Sequence, residues 1–85
     1  MDQTQAPVAA ALGAYTMQRG HLDEAIRFWK QALAISPALI LVRTNLAAAL
    51  VRRGQAEQAR EVLRKALDFN PAFQPTRDLL NKIAR

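Results

Sequence analysis

Residues 20–37, GHLDEAIRFWKQALAISP, spell out one helix with both of its ends marked. Gly20 stops whatever precedes it, because glycine reaches left-handed dihedrals without strain. Asp23 and Glu24 fall in the first turn, where negative charge complements the helix dipole. Leu22, Ala25, Ile26, Trp29, Ala32 and Leu33 then recur at spacings of three and four, the stripe of an amphipathic helix. Ser36-Pro37 closes it, since the residue before a proline is pushed away from helical dihedrals.

The same grammar returns 34 residues later as GQAEQAREVLRKALDFNP, residues 54–71. At that offset Ala6–Leu39 aligns with Ile40–Phe73 without a gap, and ten pairs are identical: Val8/Val42, Leu12/Leu46, Ala14/Ala48, Arg19/Arg53, Gly20/Gly54, Ala25/Ala59, Ala32/Ala66, Leu33/Leu67, Pro37/Pro71 and Ala38/Ala72. A period of this length is the mark of a helical repeat. Each unit reads as two helices. A first helix of about Pro7–Arg19, with Val8, Leu12, Tyr15 and Thr16 as its apolar face, precedes Gly20, and its counterpart of about Leu39–Arg53 precedes Gly54. The second helices end at Ser36-Pro37 and, as Ala56–Phe69, at Asn70-Pro71. A third copy begins with Arg77 and Leu80 and gives a fifth helix of about Pro75–Ala84, with proline allowed in its first turn. No strand pattern is present. Between Ala38 and Val51 eleven of fourteen residues are apolar, as expected of a middle helix with neighbours on several sides.

Leu12-Gly13, Ala25, Trp29, Ala32 and Pro37 in the first unit, and Leu46-Ala47, Ala59, Leu63, Ala66 and Pro71 in the second, give the chain a pattern that resembles the tetratricopeptide repeat from about Ala6 to Arg85. Ala9 and Arg43 replace the family's first aromatic residue, Thr16 and Leu50 its tyrosine, and Arg60 stands where Ile26 does. The resemblance implies an all-α fold of antiparallel helix-turn-helix repeats stacked as a short right-handed α-solenoid of five helices. Residues 1–85 would form one domain, with repeat 1 at about 6–39, repeat 2 at about 40–73 and a C-terminal capping helix at about 74–85. Small residues at Gly13, Ala25, Ala47 and Ala59 let paired helices touch nearly backbone to backbone. Leu12, Trp29, Leu46 and Leu63 are expected to fill the space between layers.

Composition sets limits on function. The chain has no cysteine, hence no disulfide or thiolate chemistry, which suits the cytoplasm. Asp2 stands where a signal peptide needs positive charge, and no apolar run approaches the length of a membrane span. The net charge of +5 is partly offset by acid-first pairs four residues apart, Asp23/Arg27, Glu61/Lys65 and Asp78/Lys82, and only one tyrosine and one tryptophan are available for base stacking. A basic RNA-binding repeat is the weakest of the readings. His21, the single histidine, has no companion ligand, Ser36 precedes a proline, and no glycine-rich phosphate loop occurs, so neither an enzyme nor a cofactor or metal protein is expected.

In the resembled family the first helices of successive repeats line a concave groove that binds peptides or partner helices. Carried over, the groove comprises Ala10, Ala14, Met17 and Gln18 with Leu41, Thr44, Asn45, Ala48, Val51 and Arg52, and Pro7 and Ala11 at its margin. A carboxylate clamp of the chaperone-tail type is not implied: only Asn45 of that set is kept, while Ala10, Ala14, Pro75 and Leu79 replace the rest. The groove is small and apolar and suits a hydrophobic or helical partner. Two units and one helix fall short of the three repeats usual for such stacks. The last helix is polar enough to cap, through Arg77, Asp78, Asn81, Lys82 and Arg85, but nothing charged lies between Ala6 and Met17. The expectation is a non-enzymatic interaction or scaffold module, a piece of a larger protein, that homo-oligomerises through its first helix or its groove. A stand-alone adaptor or co-chaperone with an apolar peptide in the groove is the alternative.

Overall fold

A computed structural model describes residues 5–83. Those residues form five helices and no strand: α1 (Gln5–Gln18), α2 (Leu22–Ile35), α3 (Ile40–Arg52), α4 (Ala56–Phe69) and α5 (Gln74–Ile83). Asp2, the expected helix end at Ala84 and the capping residue Arg85 lie outside the described residues.

Glycine sets the two tight turns. Gly20 and Gly54 each have φ of 81°, a left-handed conformation that a side chain would strain. The surrounding hydrogen bonds complete a Schellman closure: the Gly20 amide donates to the Met17 carbonyl at 3.0 Å and the His21 amide to Thr16 at 2.9 Å. Gly54 and Gln55 repeat this with Val51 and Leu50 at 2.9 and 2.8 Å. Each turn folds a helix back on its predecessor, so α1 packs on α2 and α3 on α4, and the hairpins are joined through α2–α3 and α4–α5 contacts.

The core follows the repeat. Ala25, Ala32, Ala59, Ala66 and Ala47 are completely buried, as close helix approach demands, and Trp29, Leu46, Leu50 and Leu63 fill the volume around them. Arg60, at the place of Ile26, is only half-buried; it reaches the Ile83 carbonyl at 3.3 Å and pairs with Glu57. A cation there offsets the exposed carbonyls at the end of α5.

Two expectations need correction. Val8, Leu12 and Tyr15 are not core: they are 56%, 40% and 57% exposed, while Ala6, Ala9, Gly13 and Thr16 face inward. Their repeat counterparts Val42, Leu46 and Ala49 are 8%, 3% and 0% exposed, because α3 has the preceding hairpin to lean on. Among the described residues α1 has no such neighbour on that side. The second correction concerns charge. Asp23 pairs across the repeat boundary with Arg53 and not with Arg27, and Asp78 accepts from the Gln74 side-chain amide at 2.6 Å. Asp23 takes a cation from the next unit, and Asp78 takes an amide four residues before it.

Candidate functional site

The concave side is built by α1 and α3. Ala14, Met17 and Gln18 from α1 face Asn45 and Ala48 from α3 across a depression of about 230 Å³, and Trp29 of α2 forms its floor. Small side chains on both walls keep it open. The floor is fixed: the Trp29 indole Nε1 donates to the Ala10 carbonyl at 3.1 Å, which binds α2 to α1. At one rim the Arg52 guanidinium lies 3.9 Å from the Met17 sulfur, linking the two walls.

Of the ten residues the sequence assigned to this groove, five line the depression: Ala14, Met17, Gln18, Asn45 and Ala48. Ala10 and Val51 are half-buried against the core, Arg52 stands exposed at the rim, and Leu41 is exposed near the start of α3. Thr44 is turned away. Its hydroxyl donates to the Ile40 carbonyl at 3.0 Å and meets the Thr76 hydroxyl at 2.7 Å, both threonines being buried between α3 and α5. The fifth helix therefore closes over the position that would have lined the groove. Trp29 was legible only as core; its second role as a floor depends on the absence of a side chain at Gly13, which lets one indole face reach toward the concave side.

A second surface lies on the outer flank of α1. Val8 and Leu12 join Ala34 and Ile35 of α2 around a shallow apolar depression of about 470 Å³, with Tyr15 continuing the strip. α1 carries no charged residue along its whole length. At its C-terminal end the Arg19 guanidinium lies 5.7 Å from the centre of the Tyr15 ring. Larger than the groove, this flank is the most apolar of the exposed surfaces that α1 contributes to.

Tandem hairpins stacked edge to edge, with tight glycine turns and buried alanines at every close approach, define a helical-repeat solenoid. The sequence model of the tetratricopeptide repeat matches residues 16–83, and the chain belongs to that family. No curated relative matches the chain. Membership makes the chain an interaction module of the protein-binding kind. Among the described residues no helix is long and apolar enough to cross a membrane.

Proposed function

We propose that the chain is a non-enzymatic module whose work is to hold a protein partner, and that the concave groove between α1 and α3 takes an apolar peptide or helix from that partner. The carrying observation is the groove itself: alanine walls over a fixed tryptophan floor, with Asn45 half-exposed to meet a partner's backbone. Such a lining favours apolar side chains and offers no cluster of cations for a terminal carboxylate. Ala14→Glu with Ala48→Glu places two carboxylates in the groove at positions that are not needed for the core. The double variant is expected to retain its helicity and lose its partner; full retention of binding would remove the groove from consideration.

A second reading places a contact on the outer flank of α1. It is favoured by the exposure of Val8, Leu12 and Tyr15 where the second repeat buries the same positions. Self-association and capture of a foreign helix would both use this flank. Light scattering over a range of concentrations separates them from groove binding, because Leu12→Asp acts on the flank and leaves the groove lining intact.

A further inference from the structure

We propose that the depression between α2, α3 and α4, on the side of α3 opposite the groove, is a further binding site, and that it takes an acidic segment of a partner protein with an apolar residue next to the acid. The site goes beyond the groove reading and is tested apart from it.

Helix geometry puts the two sites on opposite sides. Asn45 and Ala48 line the groove, whereas Arg43 and Leu50 line this depression of about 300 Å³. At about 3.6 residues per turn, positions 43 and 50 share one side of α3 and positions 45 and 48 share the other. The floor is apolar: Leu50 is buried and Val62 is half-buried. Around it three helices bring three cations together, Lys30 from α2, Arg43 from α3 and Lys65 from α4, against one carboxylate, Glu61. Among the described residues no carboxylate lies within ion-pair distance of any of the three cations. A surplus of positive charge over an apolar floor complements an acid carried beside an apolar side chain.

Arg43 is held in place for this task. Its Nε donates to the Pro37 carbonyl at 2.8 Å, and its guanidinium lies 5.3 Å from the centre of the Phe69 ring. Those contacts orient the guanidinium and leave its two terminal amino groups, a fork that can grip a carboxylate, without an acid. The repeat adds a second observation. Lys30 and Arg43 stand 34 residues before Arg64 and Arg77, both exposed. The cationic pair thus returns one unit on, along α4 and α5, which suits an extended segment with several acids better than a single small anion. Nucleic acid fits less well. Glu61 lines the depression, where it would meet a backbone charged at every step, and the ring beside Arg43, Phe69, is already covered by that guanidinium.

The test titrates the intact chain into a fluorescent peptide of alternating glutamate and leucine, followed by anisotropy. Saturable binding that weakens as salt is added is expected. Replacing the peptide's glutamates by glutamine should abolish it, and replacing its leucines by serine should weaken it at least about threefold; equal binding of either control would overturn the proposal. Lys30→Gln and Lys65→Gln should each weaken the peptide roughly threefold, and Arg43→Gln roughly tenfold. Lys30 and Lys65 are exposed, so their variants keep the helices intact, which circular dichroism checks. Glu61→Gln should tighten binding roughly twofold, a gain that a damaged fold does not produce. Lys82→Gln removes the same charge from α5, at the repeat place of Ala48, and should leave the affinity unchanged. An equal loss in Lys82→Gln and Lys65→Gln would mean attraction by net charge alone and overturn the site. Tighter binding of an oligouridylate RNA than of the peptide, lost in Lys65→Gln, would assign the site to nucleic acid and overturn the proposal. Peptide binding lost in the Ala14→Glu, Ala48→Glu double variant but kept in Lys65→Gln would place the peptide in the groove, overturning this site and leaving the module reading intact. No saturable binding would overturn the site as well, while the groove, whose partner is apolar, stands on its own test.

Discussion

A Cβ added at Gly13 would collide with Nε1 of Trp29, so the indole rests on bare α1 backbone. The second repeat has Ala47 and Leu63 at the same places, both completely buried. Glycine under tryptophan and alanine under leucine are two solutions to one contact: the wider ring needs the missing methyl. Gly13→Ala gains about 1 kcal/mol of helix propensity. It loses more, about 1–3 kcal/mol, by overpacking and by dislodging the indole from the Ala10 carbonyl. The variant should melt lower, and the emission of Trp29, the only tryptophan, should shift to the red. In a Trp29→Leu background the sign should change, and Gly13→Ala should become neutral or stabilising. An unchanged emission maximum in Gly13→Ala would show that the indole is not seated as described.

The buried threonine pair makes an asymmetric prediction. Because the Thr44 hydroxyl donates to Ile40, the proton between the two threonines comes from Thr76. Thr76→Val leaves Thr44 with its backbone acceptor and should cost about 1 kcal/mol. Thr44→Val takes away the acceptor of a fully buried hydroxyl and should cost more, about 2 kcal/mol. The double variant should cost less than the two singles added, because no orphaned hydroxyl remains. Chemical denaturation of the three variants measures this; strict additivity would mean that the two hydroxyls do not interact.

Ala59 is completely buried in α4, at the place of Ala25 in α2. Close approach of α3 and α4 leaves no room for a ring, and nearby Leu63 is also enclosed. Ala59→Trp should cost more than about 3 kcal/mol, a large share of the stability of so small a chain, and abolish the cooperative helical melt. An unaltered melting temperature would refute the repeat register on which the fold is read.

The interior was legible because repetition supplied a check on every position: Ala25 with Ala59, Ala32 with Ala66, Gly20 with Gly54. The helix pattern, turn glycines and closing prolines are local signals and survive into the structure within a residue or two. What failed were statements about what lies beside a helix. Leu12 and Leu46 are identical in type and place, and nothing in the residue itself says that, among the described residues, one is covered and the other is not. Thr44 likewise shares its place with Ala10, yet only Thr44 has α5 above it. Ala14, Met17, Gln18, Asn45 and Ala48 lie on the depression, while the burial of Thr44 by a later helix, and the tryptophan floor, depend on three-dimensional context that periodicity does not encode.

The leucine pair turns that difference into a measurement. Leu46 is 3% exposed between α3 and its neighbours, and Leu12 is 40% exposed on the flank of α1. Truncating a buried leucine removes its transfer free energy and leaves a cavity, so Leu46→Ala should destabilise by about 2–4 kcal/mol. Leu12→Ala removes a side chain already partly in water and opens no enclosed space; about 1 kcal/mol or less is expected. Measured on the isolated chain by thermal and chemical denaturation, the two variants should differ by at least roughly 1 kcal/mol. If Leu12→Ala proved as harmful as Leu46→Ala, the flank would be covered in solution by another molecule or by the chain itself.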